Sequence, residues 1–321
     1  MKIKEIPAAE MDAKEFISIQ TKEIADAVGD GSAITALSGG VDSSVVTLLG
    51  HRALGGKLKT YFVENGLMRE GEAQRVVRIF KRLGIQVEVV DARDEFLSAL
   101  KGLTDPEHKR EAITQTFYKK VFGRLVKESG ARHLLQGTIL TDVEETVAGV
   151  KRQHNVLKQL GIDPEQAIGY RVIEPVIQLR KDGVRKLAKA LGLPPAIYQR
   201  MPFPGPALAA RVVGEATAER LELVRKATSV IEGELKNVKA FQYMAILHEA
   251  RFPGMRDGKR DYGLQIEVRC WRSVDARTAK PVWLTPRMLQ RLARRLTAEV
   301  PGVVSVTYNI APKPPSTMEA I

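Results

Sequence analysis

The sequence predicts an α/β protein built on a parallel sheet and followed by a smaller α+β domain, and three observations carry that expectation. Short apolar runs such as Ala33–Leu37, Leu58–Val63 and Arg132–Leu135 alternate with helical patterns through the first part of the chain, the order expected of a parallel sheet covered on both faces. Around Ala33–Val46 an apolar run gives way to glycine and serine and then to a second apolar pattern, which reads as strand, loop, helix. Met201-Pro-Phe-Pro-Gly-Pro-Ala207 suits neither a helix nor strand pairing, so it divides a first domain, residues 1–200, from a second, residues 201–321.

In chain order, Ala13–Val28 places Phe16, Ile17, Ile24 and Val28 at helical spacing and stops at Gly29. Ala33–Leu37 is a strand, Ser38–Ser44 a loop, and Val45, Val46, Leu48 and Leu49 belong to a helix. Leu58–Val63 is a buried strand, the run with Val76, Val77, Ile79, Phe80 and Leu83 a helix, Gln86–Val90 a strand, and Asp91–Leu100 helical again. Arg132–Leu135 is another strand, ending at Gln136-Gly-Thr138, and Lys181–Leu191 is an amphipathic helix closed by Gly192. In the second domain Ala218–Leu235 and Pro286–Val300 are helices, while Ala240–Leu247, Gly263–Trp271 and Val303–Ile310 are strands. The arginines at 287, 291, 294 and 295 lie on both sides of their helix and read as a solvated face.

Composition narrows the function classes. With 321 residues, 44% of them hydrophobic, the chain can bury a full core and form two domains. Fifty Lys and Arg against 38 Asp and Glu give a net charge of +12, which suits acidic metabolites or an acidic partner. Aromatics are 6% and no basic stretch is interleaved with them, so nucleic acid is not the expected ligand. A lone cysteine, Cys270, excludes an internal disulfide and a Cys-x-x-Cys site, and with no apolar signal core or long apolar run a cytoplasmic protein is expected.

The loop carries the chemistry. Unpaired amides at a helix N-terminus favour an anion, Gly39 and Gly40 allow it to approach the backbone, and Ser38, Ser43 and Ser44 add hydroxyl donors. No lysine follows the glycines as in a Walker A loop, and they are adjacent rather than spaced as in a dinucleotide fingerprint. Asp42 would repel a phosphate unless Mg²⁺ joined the two. The plainer alternative is a helix N-terminus whose glycines merely turn the chain.

Ser38-Gly-Gly-Val-Asp-Ser43 resembles the pyrophosphate loop of the N-type ATP pyrophosphatases, the adenine nucleotide alpha hydrolase-like enzymes that split ATP while adenylating a substrate. Leu100-Lys-Gly-Leu-Thr-Asp-Pro-Glu-His-Lys-Arg110, Leu134-Leu-Gln-Gly-Thr-Ile139, Ile173-Glu-Pro175, Pro202-Phe-Pro-Gly-Pro206 and Lys313-Pro-Pro315 look like successive landmarks of the ATP-pyrophosphatase and dimerisation portions of GMP synthetase. The resemblance covers nearly the whole chain. It implies ATP and Mg²⁺, xanthosine 5′-monophosphate (XMP) adenylated at its C2 oxygen, ammonia from a separate glutamine amidotransferase subunit, and a homodimer.

Loops after the strands of a parallel sheet meet at its carboxyl edge, so Ser38, Gly39, Gly40, Val41, Asp42, Ser43 and Ser44 of the first loop, with Val63, Gly137 and Thr138 from two others, would bind ATP, with Asp42 and Asp142 on the metal. The resemblance implies the remaining site residues. Segment 140–170 would be a lid carrying Lys151, His154 and Asn155, Lys151 being catalytic with Asp42. Arg211, Arg269, Lys313, Thr317 and Glu319 would bind the nucleotide substrate. The chain departs from the family at Leu140, Thr141 and Gln153, at Ala207, where a glycine is usual, and at Ala320 and Ile321, where an aromatic and an acidic residue are usual. A diverged paralogue adenylating another purine-like or tRNA acceptor, and a non-catalytic nucleotide-binding partner protein, are the competing readings.

Overall fold

The computed structural model describes residues 3–147, 170–256, 258–274 and 276–319. The chain divides into two compact units. The first comprises Met1–Glu64, Glu72–Asp91 and Phe117–Arg200, and the second Asn65–Gly71, Ala92–Thr116 and Met201–Ile321. The second unit thus draws in two segments that precede the proline-rich boundary at Met201, whereas sequence reading assigned all of residues 1–200 to one domain.

The first unit is the expected α/β layer structure. Strands β1 (Ala33–Ala36), β2 (Leu58–Glu64), β3 (Glu88–Asp91), β4 (His133–Leu135) and β5 (Arg171–Ile173) form one sheet in the order β3-β2-β1-β4-β5. All four pairings are parallel, with Thr35 opposite both Thr60 and Leu135. Parallel strands need crossovers, and among the described residues of this unit the helices Val41–Leu54, Glu72–Arg82, Gly123–Ser129 and Leu140–Val147 lie between strands, while Lys181–Ala190 and Pro195–Tyr198 follow the last. Ile34, Val45, Val46, Leu49, Phe62, Phe80 and Leu187 are buried, so the apolar patterns identified the core. β1 has β2 on one side and β4 on the other, and the strand order reverses there. In open α/β sheets ligands bind beyond the carboxyl ends of the strands at that reversal.

Several details differ from the sequence expectation. The expected loop Ser38–Ser44 is shorter, because the helix begins at Val41 with Gly40 as its N-cap. Ser44 Oγ donates to the Gly40 carbonyl at 2.7 Å and Thr47 Oγ1 to that of Ser43 at 2.8 Å, so these hydroxyls are satisfied inside the helix rather than breaking it. A helix at Pro106–Gln115, capped by Asp105, and strand β5 were also absent from the sequence reading.

In the second unit β8 (Lys259–Arg272) is central. It pairs antiparallel with β6 (Gln242–Leu247), β7 (Phe252–Arg256) and β9 (Lys280–Pro281), and parallel with β10 (Val303–Tyr308). The helices Ala218–Leu235 and Pro286–Glu299 pack against each other and against β6 and β10 respectively. Arg291 and Arg295 are not simply solvated, since both bind Glu234 on the neighbouring helix. β7 escaped the sequence reading because Pro253 and Gly254 interrupt its β pattern. Among the described residues no helix is long and apolar enough to cross a membrane.

Candidate active site

The sequence after β1 turns sharply at Gly39, whose φ of +77° is a left-handed conformation that glycine adopts without a Cβ penalty. Ser38 and Ser43 then close the turn: Ser38 N–H meets Ser43 Oγ at 3.3 Å, the two hydroxyls lie 3.1 Å apart, and Gly40 N–H reaches Ser38 Oγ at 3.3 Å. These bonds are long, so an anion with stronger acceptors could replace them. The loop stands at the end of β1, beside the end of β4. A Cβ on Gly137 would be 3.0 Å from the Asp42 carbonyl carbon and 3.0 Å from the Ser43 nitrogen, so the segments after the two strands are in contact.

Asp42 lies in the first turn of the helix Val41–Leu54, where the dipole favours a carboxylate. Lys181 Nζ donates to its Oδ2 at 2.5 Å, while Oδ1 is buried without a hydrogen-bond partner among the described residues. Such an orphaned carboxylate oxygen fits one position in a cation's coordination shell. Asp142 Oδ2 accepts the Ile139 amide at 3.1 Å and so caps its own helix. No cluster of three metal-ligating side chains occurs among the described residues, but Mg²⁺ held jointly with phosphates needs only one or two carboxylates. Thr138 is buried and its hydroxyl accepts from Gln136 Nε2 at 3.0 Å, and Val63 is buried in β2. Lys151, His154 and Asn155 lie outside the described residues.

A second cluster lies within the second unit. The Arg211 guanidinium is fully buried over the Phe203 ring, 4.7 Å from its centroid, and Arg69 stacks 3.9 Å from the same centroid. All three Arg211 nitrogens lack hydrogen-bond partners among the described residues, and the carboxylate of Glu319 is 3.9 Å away. Burial pushes its guanidinium pKa down, against the pull of Glu319 and Glu232. Gln242 Nε2 donates to Glu319 Oε1 at 3.1 Å, which adds a residue that sequence reading did not select.

Arg269 is used differently. It donates to Glu267 at 2.6 Å and to the carbonyls of Thr317, Met318 and Glu319, so it fixes the backbone that presents Glu319. Lys313 Nζ donates to the Ala276 carbonyl at 2.8 Å, and Thr317 Oγ1 to that of Glu319 at 2.5 Å. The structure thus brings Arg211 and Glu319 together and places Arg269 and Thr317 behind them as supports.

Comparison with known proteins decides the family. The chain is 46% identical to a subunit of the glutamine-hydrolyzing GMP synthase of Archaeoglobus fulgidus, over 96% of this chain and 99% of that one. It is 44% identical to the corresponding Pyrococcus furiosus protein, over 95% and 97%, and 43% identical to that of Methanocaldococcus jannaschii, over 96% and 99%. The chain belongs to this family of GMP synthase subunits. The GMP synthase C terminal domain family also matches residues 229–320, and the asparagine synthase family matches residues 24–138, the stretch that includes β1, the glycine turn and β4.

In this member of the GMP synthase family three contacts at the turn had no local sequence signal. Lys181 reaches Asp42, and Arg200 donates both to the Glu72 carboxylate, at 2.5 and 2.7 Å, and to the Gly39 carbonyl, at 3.0 Å. Lys181 could have been found only as a helix-initial lysine beyond the last parallel strand. Arg200 had no signal beyond its place just before the proline-rich segment.

Proposed function

We propose that this chain is the synthetase subunit that converts XMP to GMP. The C2 oxygen of XMP attacks the α-phosphorus of ATP, the bond to the β-phosphate breaks, and pyrophosphate leaves. Ammonia then adds at C2, AMP departs with the oxygen, and a proton is lost. A separate glutamine amidotransferase subunit supplies the ammonia, and two copies of this chain form the dimer.

The observation that carries this reading is the glycine turn at the strand-order reversal, with Asp42 in the first turn of the helix that follows it. Ser38, Gly39, Gly40 and Ser43 would hold the polyphosphate with amides and hydroxyls, and Lys181 adds a positive charge beside it. Mg²⁺ would take Oδ1 of Asp42, which has no hydrogen-bond partner among the described residues, with Asp142 as a further carboxylate, and would supply charge neutralisation at the leaving pyrophosphate. Lys151, His154 and Asn155 are assigned to phosphate contact and water exclusion. Arg211, with Glu319 beside it, is assigned to the nucleotide's phosphate, since a buried guanidinium without hydrogen-bond partners among the described residues is costly unless an anion completes it, and Lys313 and Thr317 are assigned to the same substrate.

A pyrophosphate-release assay tests this with ATP, Mg²⁺ and ammonium. XMP should drive release, xanthosine should be at least ~100-fold poorer because it leaves the cations unmatched, and glutamine should replace ammonium only when the amidotransferase is added. Release driven by another purine nucleotide but not by XMP would overturn the acceptor while leaving the adenylation chemistry standing.

A further inference from the structure

Glu72 opens the helix Glu72–Arg82, yet its side chain is only 1% exposed, against 14% for Arg200. A buried carboxylate beside a turn meant for polyphosphate would repel the ligand, and Arg200 neutralises it through a two-pronged ion pair. One prong does more. Arg200 Nη1 also binds the Gly39 carbonyl at 3.0 Å, and the space where a Gly39 Cβ would lie is filled by Glu72 Oε1 at 2.7 Å and Arg200 Nη1 at 2.9 Å.

A trans peptide points its carbonyl and the following N–H in opposite directions. Holding the Gly39 carbonyl on Arg200 therefore turns the Gly40 N–H to the other side, where it meets Ser38 Oγ at a long 3.3 Å. We infer that the Arg200–Glu72 pair is the positioning device of the phosphate turn: it fixes the Gly39–Gly40 peptide so that the Gly40 amide faces the polyphosphate of ATP. This rests on reading the turn as the ATP site. The pair acts through the backbone and touches no reacting atom.

The test compares R200M, R200K and the double variant E72Q/R200M by melting temperature, by equilibrium binding of ATP with Mg²⁺, and by the KM values for ATP and XMP. R200M should melt low because it strands the Glu72 charge, and R200K should recover melting more than ATP affinity because an ammonium cannot fork. The double variant, with no stranded charge, should melt close to wild type yet bind ATP at least ~10-fold more weakly, with the KM for XMP unchanged. Recovery of both melting temperature and ATP affinity would reduce the pair to a structural role and overturn the inference. A wild-type chain that binds no ATP would instead overturn the reading of the turn itself.

Discussion

Gly137 and Asp42 are packed so closely that a single methyl group between them has no room: a Cβ added to Gly137 would lie 3.0 Å from the Asp42 carbonyl carbon and 3.3 Å from the Asp42 Cβ. Gly137 does not have a positive φ, so alanine there is opposed by this contact and not by its own backbone. Gly137→Ala should therefore push the Gln136–Thr138 segment away from the phosphate turn. Pyrophosphate release should fall at least ~10-fold, with a stability loss of about 1–2 kcal/mol in denaturant titration. Unchanged kinetics would mean that the two segments do not share one ligand.

Asp42→Asn keeps the shape but removes the charge that Lys181 faces and that a cation would use. Its circular dichroism should match wild type while kcat for pyrophosphate release drops at least ~100-fold. Near-normal turnover at saturating Mg²⁺ would remove Asp42 from the metal assignment.

Ala207 stands where the family usually has glycine, and its φ is +53° at a fully packed position. An L-residue there carries left-handed strain, partly offset because glycine would have more freedom to lose on folding. Ala207→Gly should stabilise the protein by roughly 0.5–1 kcal/mol net, read as a higher melting temperature. A lower one would show that packing of the methyl outweighs the strain.

Burial by itself would raise the Glu267 carboxyl, but hydrogen bonds from His248, Arg269 and Asn309 and the Arg269 charge outweigh it and hold the pKa down to about 2. A folded value below the ordinary 4.5 means that the stabilisation is complete above about 4.5 and disappears as pH falls toward 2. Wild type should lose on the order of 3 kcal/mol from this group across that window. Glu267→Gln should flatten the acid limb of the stability curve, and an unchanged limb would assign the acid sensitivity elsewhere.

What could be read from the sequence was local. The glycine turn declared itself because its donors, glycines and carboxylate are neighbours in the chain, and the parallel sheet because β1, β2 and β4 are short apolar runs. The contacts that finish the site are not local: Lys181 lies 139 residues from Asp42, and Arg200 lies 161 from Gly39. No periodicity reports such pairings. Arg269 illustrates another limit, since its position as a cation in the second unit was legible, but not that its guanidinium is spent on the Thr317–Glu319 carbonyls.

The interleaving of the two units sets an order for their making. Arg225 binds the carbonyls of Gly66 and Met68, Arg69 binds Glu232, and Lys109 binds the Val212 carbonyl, all within the second unit. Asn65–Gly71 and Ala92–Thr116 are therefore synthesised long before the helix Ala218–Leu235 that Arg225 and Glu232 belong to. On the ribosome these segments must wait, exposed, while more than half of the chain is still to come, so a fragment ended at Arg200 would hold two pieces of the second unit with no body to join.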